Sequence, residues 1–283
     1  MGAIGHAVSK RHQARLNEQY VHKYPQVACF AFDLITASIH QHGRYEKHDL
    51  AALARDVFAR MSRRSLCLDI GANIGNHALF FAEHFDKVIA FEPVPRTFKV
   101  LECNAMLVDN ITPLNLGASD HEHVMEVSIN PLNVGATTVT RSAKPGGSTA
   151  SLNLVPVDSL DLGGPVDFIK IDVENHELEC LHGAKNLLQR DYPVIAMEVL
   201  RDQIKDGTSA ALEFLRSLGY SHLYHMKDLR RFSALPTPLA KLARVVFGLL
   251  TNRLSERKYV LEPISRLQNR NYGMLIFTQS PLD

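Results

Sequence analysis

No stretch of the 283 residues approaches 18 uncharged apolar positions, so no helix is expected to span a bilayer. Cysteine is scarce: Cys29, Cys67, Cys103 and Cys180 are widely scattered, and no C-x-x-C pair occurs. That excludes a disulfide framework or zinc ribbon and makes a reducing cytoplasm the expected compartment. An excess of one charge is missing too. With 31 basic and 30 acidic residues the formal net charge is +1, so no long-range field draws in nucleic acid or anionic lipid. Basic and aromatic residues are not interleaved, and no D-P-P-Y-like tetrapeptide follows the fourth predicted strand, so no nucleic-acid partner is expected. The opening MGAIGHAVSKRHQARLNEQY has no uninterrupted apolar core and does not read as a secretory signal. Gly2 starts like a myristoylation site, but His6 stands where Ser or Thr is needed. Internal repeats and low-complexity tracts are absent.

What is present is an alternation. Residues 1 to about 60 read as helical pieces: Ala28 to Ile39 is strongly apolar, and Lys47 to Ser62 has helical spacing through Leu50, Leu53, Ala54, Val57, Phe58 and Met61. From Ser65 short apolar runs alternate with amphipathic, helix-length stretches: Ser65–Ile70, Asn76–His84, Lys87–Phe91, Arg96–Leu107 and Ile111–Leu116. After a polar interval come Val166–Val173, Glu177–Gln189, Val194–Val199, Ala210–Leu218 and a last strand at Tyr272–Thr278. This order predicts parallel strands with crossover helices, a doubly wound α/β sheet buried on both faces, as the unbroken apolar runs FIKID and VIAMEV require. Glu122 to Thr149, with its Pro and Gly residues, reads as a hairpin with a mobile loop. The expected organisation is an N-terminal helical cap over residues 1–60 and one domain over 61–283, with a helical insertion at 225–270. Within that insertion Leu239 to Leu254 is apolar with interspersed Lys241, Arg244 and Arg253; it is expected to pack as a helix, with peripheral membrane contact as the other reading.

The strand Leu66-Cys67-Leu68-Asp69-Ile70 runs straight into Gly71-Ala72-Asn73-Ile74-Gly75, and a helix follows. Glycines there let the backbone turn tightly and approach a ligand, and open α/β sheets bind ligands at the carboxyl ends of their strands. The spacing is G-x-N-x-G rather than the G-x-G-x-x-G of diphosphate-binding turns. Asp69 at the strand's end would repel a diphosphate and suit an amino group or sulfonium. The next strand ends in Glu92, 23 residues after Asp69, close to the ~20-residue offset of an acid that grips a ribose diol. Together these point to an adenosyl ligand with a cationic end.

The blocks LCLDIGANIGNHALFFA, VIAFEPVP, LNLGASD, FIKIDVENHELECLHGA and VIAMEV, in that order, resemble the FkbM-type family of S-adenosylmethionine-dependent methyltransferases. The likeness runs from about Tyr45-Glu46 to Val199. It implies a class I, Rossmann-like sheet of seven mostly parallel strands, ordered 3-2-1-4-5-7-6 with the seventh antiparallel, and O-methylation of hydroxyls on sugars, glycans or polyketide-like small molecules. It also implies roles: Asp69, Gly71, Asn73 and Gly75 at the methionine and sulfonium end, Glu92 on the ribose, and Ala118, Ser119 and Asp120 beside the adenine. Gly43-Arg44-Tyr45-Glu46 matches the family's G-x-Y-E segment, read either as closing over the ligands or as a solvated turn. The chain departs from the pattern at Asn175, where the family mostly has Gly. If that position has positive φ, Asn is the least penalised replacement.

Methyl transfer to an alcohol needs alignment and a base for the hydroxyl proton. Lys170, Asp172, Glu174, His176 and Glu177 fall within eight residues at a strand's end. A period of two places Lys170, Asp172 and Glu174 on one face. Lys170 inside an apolar strand calls for pairing with a carboxylate. Asp172, Glu174 and His176 are the candidate catalytic residues, with Asp172 positioning the reacting groups and Glu174 or His176 as base. Glu177 equally suits a helix start, and Glu198 points at the same rim. The carboxylates are oxygen donors of the kind a divalent ion takes, yet the spacing carries no metal signature. The rival readings are an NAD-type oxidoreductase, disfavoured by Asp69 and the glycine spacing, and a non-catalytic domain that keeps the fold.

Overall fold

The computed structural model describes residues 3–31, 33–129, 148–228 and 259–282. The chain divides into two compact units, residues 1–47 with 64–193, and residues 48–63 with 194–283. The N-terminal 47 residues group with the first unit.

In the first unit β1 (Leu66–Ile70) is buried along its whole length. It pairs in parallel with β2 (Lys87–Phe91) on one side and β7 (Phe168–Ile171) on the other, so Asp69 lies opposite Ala90 and Lys170. Outside β2 runs β3 (Ile111–Leu114), also parallel. Both edges of β1 are satisfied and both faces covered, which is why LCLDI tolerates no alternation. At its start Asp167 accepts from the N–H groups of Ser65 and Leu66, at 2.6 and 3.2 Å. The connections are helices: α4 (Asn76–Ala82), α5 (Pro95–Ala105), whose Pro occupies the first turn, then α6 (Glu177–Gly183) and α7 (Lys185–Asp191). Phe81 of α4 meets Phe168 edge-on, ring centroids 5.4 Å apart.

A smaller sheet orders as β4 (Gly117–Ala118), β6 (Ser148–Val155), β5 (His123–Ile129). The expected hairpin is its β5–β6 pair; the expected loop between them lies outside the described residues. Val94, Val127, Leu152 and Leu154 form its core. Two N-terminal helices, α1 (Ala3–Tyr20) and α2 (Leu34–His42), complete the unit. The latter starts later than the apolar run from Ala28 suggests, because Asp33 is its cap and accepts from Ile35 N–H at 3.2 Å.

The second unit holds α3 (Lys47–Asp56, from His48 onward), β8 (Val194–Val199), α8 (Ala210–Ser217), β9 (His222–Asp228), β10 (Tyr259–Pro263) and β11 (Tyr272–Thr278). Its strands order β8-β11-β9-β10, and every pairing is antiparallel. Numbered by appearance, the first unit runs 3-2-1-4 and the second 5-7-6. The expected antiparallel last strand is β11, which runs antiparallel to both β8 and β9, but the expected count of seven needs correction: among the described residues the two groups hold eight strands. The added strand is β10, beside β9. It arises inside the expected 225–270 insertion, whose ends are strand; residues 229–258, including the apolar run, lie outside the described residues. That expectation rested on Leu239 to Leu254 and carried no information about the flanks. Among the described residues no helix is long and apolar enough to cross a membrane.

Candidate active site

Glu198 apart, every residue described below belongs to the first unit. At the end of β1 the N–H groups of Gly71 and Ala72 both donate to the Phe91 carbonyl, at 3.1 and 2.8 Å, which turns the chain across the tip of β2. Gly71 has φ +80°, and a Cβ there would stand 1.9 Å from the Asp172 carbonyl oxygen. Gly75 has φ +90°, and a Cβ would press to 2.8 Å from Leu101. Neither position admits a side chain. Between them Asn73 takes φ +52°, the left-handed region Asn tolerates best, and its Oδ1 accepts from Ile74 N–H at 2.7 Å.

Asp69 is fully buried, and neither of its carboxylate oxygens has hydrogen-bond geometry to a partner. Its charge is balanced by Lys170, whose Nζ lies 3.4 Å from Asp69 Oδ1 and 3.4 Å from Asp172 Oδ2 while donating to the Gly71 carbonyl at 2.8 Å. The lysine that looked odd inside FIKID is thus the hub joining β1, the glycine turn and the end of β7. Burial works against its charge, but Asp172 and then Asp69 outweigh that and hold the ammonium above the ordinary lysine range.

Glu92 is buried at the end of β2. One carboxylate oxygen accepts from Asn73 N–H at 3.0 Å and the other from Val94 N–H at 2.9 Å. Each oxygen keeps a further acceptor site. Burial pushes this carboxyl up to about 7, against the lowering effect of those two N–H donors. Ser119 follows β4 and is completely buried, whereas Asp120 is exposed and pairs with His121 at 2.7 Å. That contact draws the Asp120 carboxyl below its usual range.

The turn from β7 into α6 contains Glu174 and Asn175, at φ +52° and +74°. Asn175 therefore has the positive φ that glycine takes without strain and that Asn tolerates best among the other residues. Glu177 is buried and accepts from the Asn175 N–H at 3.2 Å, which ties the turn to the helix start. Glu174 is half-buried, and its carboxyl is raised by burial first, then by Asp172 and Glu177. His176 is placed otherwise than a free base would be: its Nε2 lies 2.9 Å from Ser119 Oγ and its Nδ1 3.7 Å from Glu179. It bridges the β7–α6 turn to the residue after β4. Glu198 sits half-buried in β8 of the second unit.

Sequence reasoning singled out the Gly43–Glu46 segment but not its partners Asn76 and His77, nor Asn104. Tyr45 exchanges hydrogen bonds with the Asn76 carboxamide, N–H to Oδ1 at 3.0 Å and Nδ2 to the Tyr45 carbonyl at 3.1 Å. Asn104 grips Ala28 in the same fashion, at 2.7 and 2.9 Å, and also donates to the Ile74 carbonyl at 2.7 Å. These clips bring the G-x-Y-E segment against the glycine turn, so its Glu46 lies 3.3 Å from Nε2 of buried His77. The signal was there: an acid closing G-x-Y-E, and a histidine two places after Gly75. Among the described residues no group of three His, Cys, Asp or Glu could hold a metal ion.

The hexuronic acid methyltransferase AglP of Haloferax volcanii is 34% identical over 125 residues, which are 43% of this chain and 50% of that protein; the chain spans about half the length of this curated relative. Among solved structures, methyltransferase FkbM of Methylobacillus flagellatus KT is similar over 76% of this chain and 43% of its own, at 15% identity and TM-score 0.43. Precorrin-6y C5,15-methyltransferase of Geobacter metallireducens GS-15 is similar over 91% of this chain and 100% of its own, at 13% and 0.44. Likenesses that slight carry no weight for fold or function. The family described as methyltransferase FkbM domain matches residues 69–221, more than half of the chain and the whole of the site from Asp69 to Glu179. This chain belongs to the FkbM methyltransferase family.

Proposed function

We propose that this chain transfers a methyl group from S-adenosylmethionine to a hydroxyl of a sugar, as part of a glycan or small molecule. The observation that carries the reading is the bond from Asn73 N–H to Glu92. It joins the glycine turn after β1 and the acid after β2 into one device at the ends of adjacent parallel strands. The residues fit the ligand. Asp69 offers buried negative charge without a hydrogen-bond partner, Gly71 and Gly75 let the turn take its positive-φ path against Asp172 and Leu101, and Glu92 has acceptor sites left for a ribose diol. Ala118, Ser119 and Asp120 flank the adenine. The sugar acceptor is supported by the relative that methylates hexuronic acid.

When bound, S-adenosylmethionine supplies an activated methyl carbon on a sulfonium. The chain's own task is alignment and proton removal. Asp172, held by Lys170 at the end of β7, orients the acceptor hydroxyl. Glu174 accepts the hydroxyl proton as the oxygen forms its bond to carbon; its raised carboxyl places it nearer neutral pH, where a base of this kind works best. His176 is the other candidate base, but its two ring nitrogens already face Ser119 and Glu179, so we give it the positioning role.

The test is calorimetry with S-adenosylhomocysteine and with NAD, followed by transfer of labelled methyl from S-adenosylmethionine to uronic-acid-terminated oligosaccharides. Binding of S-adenosylhomocysteine, no heat from NAD and label in the glycan are expected. NAD heat without an adenosylhomocysteine signal would overturn the reading.

A further inference from the structure

Ser119 Oγ is wholly buried and stands between Asp120 Oδ1, at 3.2 Å, and His176 Nε2, at 2.9 Å. A hydroxyl has one hydrogen to give and lone pairs with which to receive. A carboxylate ionised at neutral pH only accepts, so the serine's hydrogen goes to Asp120. An imidazole nitrogen can take either part. Both contacts are satisfied only when His176 carries a hydrogen on Nε2 and donates it to Ser119. Given to His176 instead, the serine's hydrogen would leave hydroxyl lone pairs against the carboxylate, a buried mismatch that costs free energy. The ring is oriented from its other side as well, where Nδ1 lies 3.7 Å from Glu179. Asp120 Oδ1 thus receives Ser119 and, at 2.7 Å, meets Nδ1 of exposed His121; Oδ2 takes neither.

These contacts lie where the ligand's base would fall. Asn115 Nδ2 donates to the carbonyls of Glu92 and Pro93, at 2.9 and 3.1 Å, and a Cβ on Gly117 would stand 3.2 Å from Pro93. The segment that carries Ser119 and Asp120 therefore starts beside Glu92, the acid given to the ribose, and the base is joined to that ribose. From the other side Gly183 backs onto Ser119, since a Cβ there would stand 1.8 Å from the Ser119 carbonyl oxygen. Ser119 is thus clasped between the start of α6 and the exposed Asp120.

We infer that His176 is a positioning residue for base selection: its Nε2–H, acting through the Ser119 hydroxyl, steadies the Asp120 carboxylate to receive the exocyclic amine of the adenine. This rests on the adenosyl reading above and adds to it how the base is told apart. The amine donates to a carboxylate oxygen, whereas hypoxanthine presents a carbonyl oxygen at the same place and would be repelled. Without His176 the serine hydroxyl is free to turn away from Asp120.

The test compares S-adenosylhomocysteine with S-inosylhomocysteine, its deaminated analogue, by calorimetry on the full chain. Wild type should bind the adenosyl ligand about tenfold or more tightly than the inosyl one, the scale of a hydrogen bond to a charged group. His176→Ala should cut that preference at least threefold by weakening the adenosyl ligand alone. His176→Gln, whose amide N–H reaches the place of Nε2, should keep it within twofold. An unchanged preference in His176→Ala overturns the inference, as does equal weakening of both ligands, which is what a merely structural role would give. A His176→Gln variant that behaves like His176→Ala overturns it too. Should His176→Ala fail to fold, Ser119→Ala removes the hydroxyl and should cause the same loss; an unchanged preference there also overturns the inference. If wild type binds neither ligand, the adenosyl reading falls and takes this inference with it, whereas equal binding of both by wild type removes this inference alone.

Discussion

The end of β1 and the turn after β7 are built on opposite plans. At the first, Asp69 and Lys170 are buried together, the two glycines have no room for a Cβ, and three backbone or side-chain bonds lock the path. At the second, Glu174 and Asn175 lie in left-handed backbone, half-buried and exposed, and hang on the bond to Glu177. On the proposed function, the first region holds the methyl donor through charge and shape that cannot relax, and the second carries the groups that meet the acceptor hydroxyl.

The sharpest way to break that contrast is Lys170→Met. It strands Asp69 as a buried charge, and the expected loss is about 3–5 kcal/mol of stability, read by urea denaturation. The pair Asp69→Asn with Lys170→Met should recover part of it. A loss below about 1 kcal/mol would mean the closed region is not held by its ion pairs.

Next in size is a pH effect at Glu92. Burial raises its carboxyl to about 7, above the ordinary 4.5. The fold therefore prefers the protonated form, and its contribution is complete below about pH 4.5 and is lost as pH climbs through 7. Denaturation in a pH series should show a fall of about 3 kcal/mol across that window, and Glu92→Gln should remove it. Ribose hydroxyls donate to the ionised form, so S-adenosylhomocysteine should bind more tightly at pH 8 than at pH 6 in wild type, with little change in Glu92→Gln.

The smallest effect belongs to the open turn. His176→Ala removes the contact to Ser119 and should cost about 1 kcal/mol, seen by thermal melting, with turnover reduced less than tenfold. A larger fall in turnover with adenosyl binding intact would return the base role to His176.

Much of the strand framework was legible. Strands Lys87–Phe91, Val194–Val199 and Tyr272–Thr278 coincide with their apolar runs, because a strand buried on both faces writes itself as an unbroken string. The pairing of Lys170 was legible too, since a buried ammonium demands a carboxylate. What escaped was set by distant side chains. Glu177–Gln189 reads as one helix, yet α6 ends at Gly183, whose missing Cβ would stand 1.8 Å from the Ser119 carbonyl oxygen. A new helix begins where Asp158 accepts from the N–H groups of Asn186 and Leu187, at 2.8 and 2.9 Å. Neither partner is near in sequence. Ala28 lies outside helix for the same reason, held by Asn104 from 76 residues away. The G-x-Y-E segment was named, but the contact of its Glu46 with His77 was missed because only the fold brings the two together.

The two asparagine clips have a consequence for how this chain can change over time. Asn76 and Asn104 each read a backbone N–H and a backbone carbonyl, and neither contact involves the side chain of the residue it grips. A carboxamide that imitates a neighbouring strand fixes the path of the segment and ignores its letters. Position 28 can therefore drift through many residue types without moving the chain, while Asn76 and Asn104 cannot be exchanged even for aspartate, which has no N–H to return. In related sequences the N-terminal segment should look freely variable while its route stays the same, and the record of that constraint should be found at two asparagines in the helices after β1 and β2.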